Sequence, residues 1–185
     1  MAAAALSPLA SSVEKTNGAK LSRLLTDGGT TVLRSAFDGF HPPANLAANL
    51  NASLPTLSNL FKKKILRKRQ WDLLFPPGGA TPDSNTFDIT LLFLLLTNIC
   101  GLSPPPSGWH KPSPPSDTSR EANLARINLY RNELYGHVTS TGVQTAVFNK
   151  QLLDEVEHDI MNYQNRGLCY LPKPKAEADN TDTRF

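Results

Sequence analysis

Apolar residues recur every three or four positions along most of this chain, which is the spacing of one face of an α-helix. Three segments show the pattern most clearly, at 86–100, 118–136 and 143–164. The second and third begin with Ser/Thr-x-x-Glu/Gln boxes, at Thr118 and at Thr141, in which two side chains bond otherwise unpaired amides. No stretch alternates apolar and polar residues as strands of a hairpin do. The pattern predicts an all-α bundle of five to seven helices.

Shorter helices are predicted upstream of these three. Paired glycines commonly end a helix, so a first helix should stop at Gly28-Gly29 and a second should follow it. Proline at a first helical position favours further helices at 43–53 and 55–69. The six prolines of 103–116 predict a stiff, polyproline-like connector between two core helices.

The chain is predicted to form one domain, because 185 residues is the size of a single domain with tails. The helical segments occupy 20–165. An Ala- and Ser-rich stretch at 1–19 and a polar, proline-containing end at 166–185 are predicted to be flexible.

Composition narrows the class of protein. Hydrophobic residues make up 39% of the chain, enough for a core, and the two cysteines, Cys100 and Cys169, are too few for a disulfide scaffold, a zinc finger or a RING domain. The most apolar stretch, 87–102, has 16 residues where a membrane span needs about 20, so no membrane association is expected. With no signal peptide recognisable, a reducing, cytoplasmic setting is expected.

Positive charge is concentrated in one short stretch. The net charge is +3, and no acidic residue lies between Asp38 and Asp72, so nothing nearby in the sequence neutralises this basic run. Such a run could follow a phosphate backbone, and the alternatives are a solvated helix end or a nuclear-import signal. The predicted nucleic-acid-binding residues are Lys62, Lys63, Lys64, Arg67, Lys68 and Arg69.

Common catalytic signatures are absent from the sequence. It has no phosphate loop, dinucleotide fingerprint, HExxH helix or nucleophile elbow, and no cofactor is predicted. His158 lies among four acidic residues, which is typical of a solvated helix face; a metal site there is the less favoured alternative, and no metal is predicted.

One residue breaks the apolar pattern of the segment 118–136. Arg131 lies in the heptad series Leu124, Ile127, Arg131, Leu134, Val138, in the middle of an apolar stripe. A guanidinium at such a position must be paired, must extend to the surface, or must line a cleft or interface. The ordinary interpretation is an arginine reaching the surface at the end of a core helix, and the functional one is an anion site.

The neighbours of Arg131 offer matching chemistry. Arginine binds phosphate through a planar fork of donors, Asn132 adds a donor and an acceptor, and His137 can transfer a proton near neutral pH. This set suits metal-independent cleavage of a phosphodiester. Six residues of straight helix separate Arg131 from His137 by ~9 Å and about 120°. Either Gly136 unwinds the helix end, or two copies of the motif face each other across a dimer axis.

The run from Arg131 to His137 resembles the Arg, polar residue, His pattern of HEPN domains. Longer stretches are similar to the HEPN subtype found near the N-terminus of the DAZ-interacting RING-type ubiquitin ligase and in many invertebrate proteins. They are LSRLLTDGGTTVLRSAFDGFHPPANL at 21–46, QWDLLFPP at 70–77, DSNTFDITLL at 83–92, TNICGL at 97–102 and ANLARINLYRNELYGHVTST at 122–141. The resemblance covers about 20–165.

This resemblance implies a helical bundle that often dimerises and, in active members, a metal-independent endoribonuclease. Arg131 would then hold the scissile phosphate, Asn132 would orient it or the ribose 2′-hydroxyl, and His137 would act as general acid or base. Other HEPN members are catalytically silent modules, so the alternative is a protein–protein interaction module in intracellular signalling or innate immunity, with signalling proteins as partners. RNA and a second copy of the chain are the partners expected if the domain is an endoribonuclease.

Overall fold

A computed structural model describes residues 23–137 and also 154, 157, 158 and 161; the described side chains leave out those of Leu25 and of 133–137. Six α-helices and no strand occur in this part of the chain, which confirms the predicted all-α class. The helices are α1 (Thr30–Phe40), α2 (Leu46–Ala52), α3 (Leu54–Lys62), α4 (Lys68–Leu74), α5 (Ile89–Ile99) and α6 (Arg120–His137).

The core lies where α1, α5 and α6 meet. α5 is apolar nearly all round and packs most extensively against α1, while α6 contacts α5 and the turn that precedes α1. A helix that is apolar on every face is expected at the centre of a bundle. The fully buried side chains at this junction include Leu33, Phe37, Leu91, Leu92, Leu95, Leu96 and Ile127.

The predicted stop at Gly28-Gly29 is wrong. A π-helical turn, Leu24–Gly29, continues directly into α1. Gly29 has helical φ and ψ angles, and a Cβ atom there would lie 3.2 Å from Ile127 Cγ2 and 3.3 Å from Ile89 Cδ1. This glycine therefore allows close packing between helices instead of ending one. α1 ends at Phe40, just before His41-Pro42-Pro43.

The predicted helix at 55–69 is divided into α3 and α4 by a turn. Lys64 has a φ of 59°, its amide donates to Phe61 O (2.9 Å), and the Ile65 amide donates to Leu60 O (3.0 Å). This is the Schellman arrangement, in which a left-handed residue closes a helix. Lysine in place of the usual glycine hides the stop from the sequence. Leu66, buried to 1% exposure, then anchors the turn on the core.

α5 lies within its predicted range of 86–100, and α6 begins within its predicted range of 118–136 but extends one residue past it, to His137. Asp88 caps α5 by accepting a hydrogen bond from the Leu91 amide (2.7 Å). α6 begins at Arg120, and the hydroxyl of Ser119 accepts from the Ala122 amide (3.2 Å), one position later than the predicted box at Thr118. α6 also continues through Gly136, which was expected to end it.

The remaining predictions concern residues that the structure mostly does not describe. Of the helix at 143–164, it describes only Asp154, Glu157, His158 and Met161, which are helical and exposed. The segment 1–19, the tail 166–185 and the box at Thr141 lie outside the described residues. Between 23 and 137, no helix is long and apolar enough to cross a membrane.

Candidate functional site

The first half of α6 is buried on all sides, and its polar side chains bond to the protein interior. Every residue from 122 to 128 is buried, including Arg126 at 5% exposure. Arg126 donates through Nη1 to Asp117 O (2.9 Å) and Pro114 O (3.3 Å), and through Nη2 to Asn123 Oδ1. These bonds tie the proline-rich connector onto α6. Arg126 is therefore a structural arginine.

Arg131 lies where the buried stripe of α6 reaches the surface. Leu124 and Ile127, which precede it in the stripe, are 1% and 0% exposed, whereas Arg131 is half-buried and Asn132 is exposed. Arg131 Nη1 donates to Asn132 Oδ1 at 3.0 Å. The predicted neighbours Arg131 and Asn132 are thus joined directly, and the bond fixes one edge of the guanidinium fork while leaving the Asn132 amide group able to donate.

His137 is the last described residue of α6, and its side chain is outside the described part of the chain. Because the backbone is helical through Gly136, His137 lies ~9 Å along the axis from Arg131 and about 120° around it. The alternative in which Gly136 unwinds the helix is therefore wrong. The other alternative, in which Arg131 and His137 of different copies face each other, stays a prediction.

The basic run does not form one helical face. Residues 62–69, hereafter the basic turn, consist of the end of α3, the Schellman turn and the start of α4. As expected, all six basic side chains are exposed. Of these six cations, Lys68 alone has a carboxylate partner within the described part of the chain, Asp72, one turn along α4. The basic turn and the Arg131 region belong to different helices, so the described contacts do not make them one site.

Comparison with known proteins indicates the same family, HEPN, that the motif resembles. The sequence model of the DZIP3/hRUL138-like HEPN family matches residues 43–181, which include Arg131, Asn132 and His137. The chain belongs to this family. The mouse and human proteins named "E3 ubiquitin-protein ligase DZIP3" are 31% identical over 133 residues and 29% identical over 132. Each match covers 70% of this chain and 11% of the relative. No solved structure matches the chain.

Membership in the HEPN family gives the Arg131 motif a context but does not extend a ligase activity to it. The matched region is about one ninth of the ligases' length. The sequence has two cysteines, too few for a RING domain.

A second group of titratable side chains in this HEPN domain lies near the ends of α1 and α5. Burial lowers the pKa of His41, against a smaller opposing effect of the Ile99 carbonyl. Burial also raises the pKa of the Cys100 thiol to about 12, and the nearby Arg120 only partly offsets this. Cys100 is thus a thiol at neutral pH and a poor nucleophile. The cation of Arg120 lies 5.1 Å above the ring of Phe40, which indicates a packing role.

The structurally described residues contain no group of three or more His, Cys, Asp or Glu side chains able to hold a metal ion. Within the same residues, sequence reasoning missed two arginines that join segments: Arg126, and Arg34 of α1, whose Nε donates to Ser84 O (3.0 Å). Neither interrupts an apolar stripe in the sequence, so the pattern gave no signal for them.

Proposed function

We propose that this HEPN domain binds RNA and cleaves it without a metal ion, at a site formed by Arg131, Asn132 and His137 of two copies. The observation that supports this most is the position of Arg131 at the end of a buried stripe, half-buried and bonded to Asn132. A guanidinium in such a place is partly desolvated, which strengthens its attraction for a phosphate.

The guanidinium of Arg131 and the amide of Asn132 are assigned to binding the phosphate. Arg131 donates through Nη1 to Asn132 Oδ1. A guanidinium can give two parallel hydrogen bonds to the oxygens of one phosphate. The Asn132 amide nitrogen can donate to the same phosphate or to the adjacent ribose 2′-oxygen. Positioning of this kind holds the 2′-oxygen in line with the phosphorus.

His137 is assigned to proton transfer. One imidazole takes the proton of the 2′-hydroxyl as the 2′-oxygen bonds to phosphorus, and the bond from phosphorus to the 5′-oxygen breaks. The imidazolium of the second copy gives its proton to that 5′-oxygen. The products are a 2′,3′-cyclic phosphate and a 5′-hydroxyl, and no oxidant, reductant or metal is needed. Two histidines in opposite protonation states suit a reaction near neutral pH.

A symmetric dimer is part of the proposal because one copy is geometrically insufficient. With ~9 Å of rise and about 120° of rotation between Arg131 and His137, one unbroken helix cannot place both on one phosphate. In a two-fold dimer each surface meets its own copy. Two antiparallel α6 ends would then bring the arginine of one copy to the histidine of the other.

The test is cleavage of single-stranded RNA in EDTA. The wild-type protein should yield fragments ending in a 2′,3′-cyclic phosphate, and His137→Ala should lower the rate by at least ~100-fold. His110→Ala is the matched control, because His110 is exposed and lies in the connector. A 2′-deoxy substitution at the cleaved position should block cleavage there.

Two results would overturn the proposed chemistry. Equal cleavage by wild type and His137→Ala would assign the activity to something other than this site. Binding of RNA without cleavage at any pH from 5 to 9 would leave the domain as a non-catalytic module, whose partners would then be sought among RNAs and signalling proteins.

A further inference from the structure

Three aromatic rings form a tilted cluster next to the basic turn in the sequence. The ring centroids of Phe61 and Trp71 are 4.9 Å apart with the ring planes inclined by 38°, and those of Trp71 and Phe75 are 4.7 Å apart, inclined by 41°. We call these three residues the aromatic ladder. Each residue is half-buried and packs against the core, so part of its surface is open to solvent.

The ladder and the basic turn are adjacent along the chain. Phe61 immediately precedes Lys62 on α3. Trp71, on α4, follows Arg67 by four residues, and Phe75, the residue just after α4, follows Trp71 by four. Residues four apart in a helix lie on the same face. A row of cations therefore leads along the chain into a row of aromatic rings.

The geometry of the turn holds this arrangement in place. The Schellman bonds fix Lys64 in the left-handed region, and the buried Leu66 anchors the turn. Ile65, next to them, is 52% exposed. An exposed apolar side chain among six exposed cations adds apolar contact area to a surface that is otherwise strongly charged.

We propose that the basic turn and the aromatic ladder form a binding site for single-stranded RNA, with phosphates on the cations and unpaired bases on Trp71 and its neighbours. This inference rests on the proposed RNA binding and places it away from the Arg131 motif. Bases stack on aromatic rings only when they are not held in a duplex, whereas cations attract any phosphate backbone. An acidic protein segment would use the cations but not the ring faces.

The first measurement is the affinity for labelled oligouridine of about 12 nucleotides, a length that a single-strand site covers, in a His137→Ala background that prevents cleavage. Trp71→Leu should weaken binding about tenfold, as loss of one stacked base does. Trp71→Phe should retain most of the affinity. Trp109→Leu is the matched control. Trp109 lies in the connector and is also half-buried, but it packs edge-on against Phe93 of α5. Circular dichroism checks that each variant keeps its helices.

The second measurement separates stacking from charge. Trp71→Leu should leave the affinity for an RNA duplex unchanged. The triple variant Lys63→Ser, Lys64→Ser, Arg67→Ser should weaken binding of both RNAs and reduce the single-strand salt slope by about 2.

The third measurement does not depend on a destabilising variant. The chain has two tryptophans, so Trp71 is the sole one in Trp109→Phe. Single-stranded RNA should shield its fluorescence from acrylamide, and duplex RNA should not.

The outcomes distinguish this inference from the proposed function. If the triple variant loses RNA binding but Trp71 is neither shielded nor needed, RNA binding stands and the stacking site is wrong. If poly-glutamate competes as well as single-stranded RNA at equal charge, the surface recognises charge alone and the inference is again wrong. If the wild-type protein binds no RNA, both are wrong. Shielding of Trp71 together with a tenfold loss specific to single strands supports the site.

Discussion

Arg126 in the first half of α6 and Arg131 in the second both lie near the apolar core, and these two arginines have opposite surroundings. Arg126 is 5% exposed and donates to two backbone carbonyls and an amide oxygen within the protein. Arg131, five residues later, is half-buried and bonds to its exposed neighbour Asn132. The first joins the connector to the helix, and the second stands where the stripe opens to the surface.

This difference shows that burial of an arginine is not evidence of function by itself. A buried guanidinium with internal acceptors stabilises the fold, because removing it leaves those acceptors unsatisfied. A guanidinium at the boundary of the core can reach a ligand at the surface. The predictions below test this distinction, from the largest expected effect on the free energy of unfolding to the smallest.

Replacing each arginine with methionine is the strongest test of the contrast. Arg126→Met should lower the free energy of unfolding by about 3 kcal/mol, because the carbonyls of Pro114 and Asp117 and the amide oxygen of Asn123 lose their donor in a buried place. Arg131→Met should lower it by less than about 1 kcal/mol. Urea unfolding followed by circular dichroism measures both. Similar losses for the two variants would mean that Arg131 is also structural.

A larger residue at Gly29 tests how tightly the buried half of α6 is packed. Gly29→Val should cost about 2 kcal/mol, because its Cβ would approach Ile127 Cγ2 and Ile89 Cδ1 more closely than ordinary contacts allow. Thermal unfolding measures the loss, with Gly39→Val as the matched control, since no atom lies within 4 Å of a Cβ built at Gly39. An equal loss at the two glycines would be explained by helix propensity, not by packing.

Acid should slightly weaken the hydrogen bonds between Asp117 and Ser119, just before the buried first half of α6. Hydrogen bonds from Ser119 hold the pKa of Asp117 below its ordinary value of 3.8. A depressed carboxyl pKa stabilises the fold above the unfolded-state value, and this stabilisation is lost as the pH falls through the folded-state pKa. Asp117→Asn should therefore flatten the pH dependence of stability below about pH 4. Asp27→Asn, at another exposed carboxyl, is the control. An unchanged acid limb in Asp117→Asn would contradict this contribution.

The sequence predicted the helices that periodicity defines and missed what packing decides. The ranges of α5 and α6 followed from apolar spacing and from caps written in the sequence. The turn at Lys64 was missed because a lysine occupies a left-handed position that usually belongs to glycine. Gly29 was misread for the reverse reason, since its role is close contact with Ile127 and not a change of direction.

The same division between what sequence spacing predicts and what packing decides applies to the candidate site. Arg131 was found because it interrupts an apolar stripe, and Asn132 and His137 because they complete a motif. Arg126 and Asn123 were missed because their side of α6 looks like a solvent-facing surface until the connector covers it. Trp71 and Phe75 of the aromatic ladder are four residues apart in the sequence. The contact of Trp71 with Phe61 depends on how α3 and α4 pack, which local spacing does not encode.

The most direct test of the central claim, a site shared between two copies, is mixing of wild-type protein with His137→Ala. The proposed chemistry needs the histidines of both copies, so a mixed dimer with one His137 should not cleave single-stranded RNA in EDTA. If pairing is random in a two-fold dimer, about one dimer in four of an equimolar mixture is wholly wild type, and the activity should fall to roughly half that of the same amount of wild-type protein alone. An activity unchanged by the added His137→Ala, although exchange of subunits is demonstrated, would contradict the shared site.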